Sequence, residues 1–124
     1  MGDPRHDFGF AAEGAVAGWL EESGWRILGR RVRASGGGEV DIVALDPDGI
    51  LVAVEVRARH TTRAGIGTET IDAPRTARTG RTLAAFAADG RIAHRGLRVD
   101  LVSVMPEPGT DGRWRLRRIP NIGS

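Results

Sequence analysis

Residues Gly38 to Arg59 read GEVDIVALDPDGILVAVEVRAR, two strand-like runs joined by a turn. In the turn, Asp46-Pro47-Asp48-Gly49, the proline presets φ and the glycine accepts a left-handed exit. The first run alternates, placing Glu39 and Asp41 on one face and Val40 and Ile42 on the other. The second run, Ile50 to Val54, is almost wholly apolar, as expected of a central strand covered on both faces. Charge returns at its end with Glu55, Arg57 and Arg59, spaced by two and therefore on one side of the strand. A tight hairpin brings Asp41 back toward Glu55, so that carboxylates and a guanidinium meet at one end of the sheet. Carboxylates that close repel one another unless a proton or a cation lies between them. A hard divalent ion, Mg²⁺ or Mn²⁺, suits such a site, because it takes a few carboxylate or carbonyl oxygens and keeps several waters.

Working outward, the pattern before the hairpin predicts a helix from Phe8 to Ser23. Phe10, Ala11, Val16, Ala17, Trp19 and Leu20 recur at helical spacing, Asp7 stands as N-cap and Gly24 as stop. Glu13 falls in its first turns, where a glutamate commonly serves the helix dipole. A strand is expected from Trp25 to Arg33, and the glycine-rich Ala34 to Gly38 connects it to the hairpin. Beyond the hairpin, His60 to Glu69 reads as a polar loop beside the carboxylates. Asp72-Ala73-Pro74 opens a second helix reaching about Ala88, with Ala77, Leu83, Ala84, Phe86 and Ala87 inward and Arg75, Arg78 and Arg81 outward. Leu97 to Met105 is a strand carrying Asp100 among aliphatics, and Arg113 to Ile119 a last strand in which charge and bulk alternate. The order helix, three strands, helix, strand, strand is that of an α/β or α+β sheet with helices packed on it.

The chain has 124 residues, enough for one domain with a sizeable core but not for two. It contains no cysteine, which excludes a disulfide framework and thiolate metal sites. Without a long apolar run or an apolar N-terminal core, a cytoplasmic protein with no membrane partner is expected. All 18 basic residues are arginine, set against 16 acids, for a net charge of +2. The sequence pI of about 10.8 overstates this basicity, because few groups titrate between the α-amino group and arginine. The arginines cluster near residues 30, 59, 78 and 115. Such clusters fit a phosphate-binding surface and equally a solvated arginine-for-lysine surface, and both readings remain open here. His6, His60 and His94 lack paired metal-ligand spacing, and Trp19, Trp25 and Trp114 are assigned to the core rather than to base stacking.

Taken together, Gly9-x-x-x-Glu13-x-x-x-Ala17, Gly38-Glu39-Val40-Asp41, Val54-Glu55-Val56-Arg57-x-Arg59, Arg98-Val99-Asp100 and the closing Ile119-Pro120-Asn121-Ile122-Gly123 resemble the YraN family of predicted nucleases. That family is similar to archaeal Holliday junction resolvases and to the PD-(D/E)xK group. The resemblance implies an α/β restriction-endonuclease-like fold, a mixed central sheet flanked by helices, spanning residues 1–124 as a single endonuclease-like domain. It implies Mg²⁺- or Mn²⁺-dependent hydrolysis of DNA, at branched or single-stranded sites, by a chain that forms a homodimer. Asp41 and Glu55 would hold the metal with the backbone carbonyl of Val56, and Glu13 would approach the same site. Arg57 stands where the motif has lysine, and Arg75 where relatives commonly have lysine. Arginine cannot act as a base, though it can stabilise developing negative charge, or else clamp Glu55 in a salt bridge. Arg33, Arg59, Arg63 and Arg75 are the expected nucleic-acid contacts. Two alternatives stand beside the nuclease: a nucleic-acid-binding protein on a nuclease fold, and a protein-interaction module whose acidic cluster is structural.

Overall fold

The computed structural model describes residues 3–59 and 71–123. The chain runs α1 (Pro4–Glu22), β1 (Arg26–Arg33), β2 (Glu39–Leu45), β3 (Leu51–Ala58), α2 (Ala73–Asp89), β4 (Leu97–Pro106) and β5 (Trp114–Ile119). The five strands form one sheet in sequence order. Strands β3 and β4 are parallel and are joined through α2, whereas the other neighbours are antiparallel. No helix among the described residues is long and apolar enough to cross a membrane.

The central hairpin forms as the sequence predicts. Gly49 N–H donates to the Asp46 carbonyl at 3.0 Å, Asp46 N–H to the Ile50 carbonyl at 2.9 Å, and Gly49 adopts φ +84°. Each face of β3 is covered, which explains its unbroken apolar run. Val52 and Val54 join Ile42, Ala44, Val102 and Val104 under Val16 and Leu20 of α1. Leu51 and Ala53 join Val43 and Val99 under Leu83 and Ala87 of α2.

Two helix readings require correction. Helix α1 begins near Asp3 rather than Asp7: the Asp3 carboxylate accepts from Arg5 N–H at 2.9 Å, and a proline, needing no N–H partner, opens the helix. Its buried stripe is Ala12, Glu13, Val16, Ala17 and Leu20, which leaves Phe10 and Ala11 outside. The exposed Phe10 ring is instead flanked by the guanidinium groups of Arg30 and Arg31, at 4.4 and 5.0 Å. On α2, capped by Asp72 as expected, Ala77 and Ala84 face solvent while Thr76, Thr79 and Thr82 turn inward with Leu83 and Ala87. Hydrogen bonding accounts for two of the three: the Thr79 and Thr82 hydroxyls find acceptors on β3 and on the glycine loop, whereas the buried Thr76 hydroxyl has no partner among the described residues.

Candidate functional site

The β2–β3 ladder runs from Leu45↔Leu51 to Ile42↔Val54 and then stops. At the next step the Asp41 carboxylate replaces backbone as acceptor: its Oδ2 receives Val56 N–H at 2.8 Å. Because N–H and C=O of one strand residue point to the same side, the Val56 carbonyl also faces the gap that opens between β2 and β3. Glu55, one residue earlier and on the α2 face, is buried, and its Oε1 accepts the Thr79 hydroxyl at 2.9 Å. Asp41 thus lies where the sheet splits, near enough to Glu55 on β3 and Glu13 on α1 for their charges to act on it.

Burial pushes the Asp41 carboxyl above the ordinary aspartate range, and the charges of Glu13 and Glu55 push it the same way. The Val56 N–H and Arg75, at the start of α2, act against them. Glu13 is itself held by arginines: Arg31 Nε lies 3.2 Å from its Oε1, Arg31 Nη2 donates to its Oε2 at 3.5 Å, and Arg30 stands 3.7 Å away. Arg31 carries a left-handed φ of 51° within β1, beyond the register shift between Ile27 and Gly29.

The remaining expected site residues separate. Arg57 follows Glu55 by two along β3 and, among the described residues, has no hydrogen-bond or ion-pair partner; it does not clamp Glu55. Arg33 is exposed and pairs with Glu39, the other acid of the Gly38-Glu39-Val40-Asp41 run, at 3.1 Å. Arg59 is exposed at the end of β3, where its N–H donates to the Val104 carbonyl at 2.9 Å. Arg63, His60 and the whole of the His60 to Glu69 loop lie outside the described residues.

Asp100 belongs to a different constellation. It is fully buried on the α1 side of the sheet and accepts from Arg98 at 2.8 and 3.1 Å, Arg118 at 2.8 Å and Asn121 N–H at 2.9 Å. Arg98 also reaches Asp46 at 3.0 Å, and the Arg98 and Arg118 guanidinium groups lie 5.9 and 5.3 Å from the ring centre of the buried Trp25. Burial alone would raise the Asp46 carboxyl, but the Ile50 N–H, Arg98 and the Asp48 N–H together hold it below the usual range. This network ties the hairpin turn to β4, β5 and the C-terminal segment.

Sequence reasoning missed Thr79 as the residue that orients Glu55, and Arg31 as the partner of Glu13. The signal for the first was present, since Thr76, Thr79 and Thr82 recur every three residues on one helix face. The second depends on a register shift and a positive φ, which no local pattern announces.

A mixed sheet with a helix on each face, and acidic side chains where its central hairpin opens, defines the restriction-endonuclease-like class. The model of the Uncharacterised protein family UPF0102 matches residues 12–104, a span that includes Glu13, Asp41, Glu55 and Arg57. The chain is 41% identical over 113 residues to a UPF0102 protein of Symbiobacterium thermophilum, covering 91% of this chain and 92% of that one. It is 38% identical over 123 residues to one from Anaeromyxobacter dehalogenans, covering 96% and 85%. It belongs to the UPF0102, or YraN, family.

Proposed function

We propose that the chain is a metal-dependent nuclease that hydrolyses DNA phosphodiester bonds, with Asp41 and Glu55 holding Mg²⁺ or Mn²⁺. The observation that carries this reading is the state of Asp41: half-buried where the β2–β3 ladder has opened, its carboxyl raised by desolvation and by the charges of Glu13 and Glu55. Such a cluster is relieved by a cation. Among the described residues no group of three or more acidic or imidazole side chains forms a ready-made cage. Mg²⁺ does not need one, because it is held by one or two carboxylates and keeps its waters. The donor set of Asp41, Glu55 and the Val56 carbonyl therefore fits.

When bound, the ion would polarise the phosphate and lower the pKa of a water. The chain's own contribution is positioning. The Val56 N–H fixes one oxygen of Asp41 and Thr79 fixes one oxygen of Glu55, so both carboxylates are oriented before any ligand arrives. Arg57, permanently charged and without a competing acid among the described residues, would stabilise negative charge developing on a phosphate. It takes no proton from water, so base catalysis must come from elsewhere than the motif lysine position. Arg31 and Arg30 hold Glu13 at the edge of the site, where it adds negative charge.

Arg57 also motivates the second reading, a nucleic-acid-binding protein without hydrolytic activity. Labelled single-stranded, duplex and four-way-junction DNA incubated with Mg²⁺ or Mn²⁺ distinguishes the two. Cleavage by wild type supports the nuclease. Binding without cleavage by wild type, with cleavage restored in Arg57→Lys, establishes the second reading; no cleavage and no binding by either protein refutes both.

A further inference from the structure

Beside the carboxylates, two adjoining cavities of about 210 and about 350 Å³ share Gly38, Arg78 and Thr82 in their walls. They form one trough between the Ser35 to Gly38 loop and the first turns of α2, ending against Thr79, whose hydroxyl holds Glu55. One wall carries Arg75, Arg78 and Arg81, three residues apart on α2 and all exposed. Three-residue steps on a helix advance by about 4.5 Å, so the three α-carbons span roughly 9 Å along the axis.

The opposite wall is bare backbone. Gly36, Gly37 and Gly38 have φ of +88°, +87° and +86°, a conformation open to glycine and strained for other residues, and nothing lies where a β-carbon of Gly36 or Gly37 would stand. Both ends of this wall are tied down. The Thr82 hydroxyl donates to the Gly37 carbonyl at 3.1 Å, and the Ser35 hydroxyl to Asp89 at 3.0 Å.

The charge in the trough is not neutralised. Arg78 and Arg81 have no ion-pair partner among the described residues, and the charge of Arg75 acts on Asp41. The acid lining the trough, Glu39, is already paired with Arg33.

We infer that this trough is the track for the phosphodiester backbone of one nucleic-acid strand, with Arg75, Arg78 and Arg81 on successive phosphates and the scissile bond delivered to Asp41 and Glu55. The inference rests on the nuclease reading and deepens it by naming the path of the strand. The charges of one strand recur about every 3.4 Å along the axis of a duplex, so a row of arginines roughly 9 Å long is long enough to meet more than one phosphate of a strand. The side-chain-free glycine wall lets a backbone approach closely, and the pinned loop needs no ordering on binding.

The test is fluorescence anisotropy of a short labelled oligothymidine across a salt series, with chelator present so that cleavage does not intervene. Wild type is compared with Arg78→Ala/Arg81→Ala and with Arg26→Ala/Arg95→Ala, a pair at the turn end of the sheet. Two lost single-strand phosphate contacts flatten the log–log salt slope by about 1.4, at about 0.7 per contact. The expected result is that flattening, with weaker binding at low salt, in the trough variant alone. Equal slopes in wild type and trough variant, with wild type binding well, overturn the track and leave the nuclease reading standing. Failure of wild type to bind any nucleic acid overturns both.

Discussion

Replacing Asp100 with alanine should cost the fold about 3–5 kcal/mol, the loss typical of removing one partner from a buried charge network. Four hydrogen bonds end on this carboxylate, two from Arg98, one from Arg118 and one from the Asn121 N–H. Its side chain is 0% exposed, whereas those of Arg98 and Arg118 are 21% and 33% exposed. Water can therefore reach the stranded guanidinium groups in part, which places the expected loss near the lower end, at about 3 kcal/mol. Against a total stability of about 5–15 kcal/mol this is large but leaves the protein folded. Urea unfolding followed by circular dichroism should show a lower midpoint with an unchanged slope. Asp100→Asn, which keeps the shape and one acceptor, should lose less, about 1.5–3 kcal/mol. A loss under about 1 kcal/mol in Asp100→Ala would refute the network. Loss of divalent-ion binding in a folded Asp100→Ala would refute the placing of this residue outside the site.

Three further outcomes follow from the geometry. Asp41 is raised above its ordinary value of 3.8, so its contribution to stability is fully present below that pH and is lost as pH rises through the folded value. Asp41→Asn, which keeps an acceptor for the Val56 N–H, should therefore melt higher than wild type at neutral pH in the absence of divalent ions, with the gap closing on acidification; a lower melting temperature at neutral pH contradicts this. Thr79→Val removes the partner of Glu55 while keeping the volume, and should weaken Mn²⁺ affinity by about tenfold at a stability cost of about 1 kcal/mol; isothermal titration showing unchanged affinity would dismiss the positioning role. Gly38→Ala forces a side chain into a positive φ and against the Thr82 hydroxyl, and thermal unfolding should record a loss of about 1–3 kcal/mol.

The parts of the fold legible in the sequence were those set by neighbours in the chain. The Asp46 to Gly49 turn and the Asp72 cap of α2 each rest on contacts within a few residues, and the apolar run of β3 shows its burial on both faces in its own composition. Asp41 and Glu55 were legible as a pair because a tight hairpin fixes which positions face each other. What remained hidden depends on distant partners. Arg98 meets Asp46 across 52 positions, and Arg31 meets Glu13 across 18, the latter through a bulged strand. The inward stripe of α2 was hidden differently: an apolar ranking favours Ala77 and Ala84, whereas Glu55 on the sheet and the Gly37 carbonyl offer acceptors to the Thr79 and Thr82 hydroxyls. The start of α1 was misplaced because Asp3 and Asp7 are both good caps, and only the backbone decides between them.

A metal-dependent nuclease requires that Asp41 and Glu55 form a cation site. Isothermal titration of Mn²⁺ into wild type, Asp41→Ala and Glu55→Ala tests this most directly, each protein first shown to be folded by circular dichroism. The predicted result is one saturable site in wild type, lost in both variants. No binding to wild type, or binding that survives both substitutions, would contradict it.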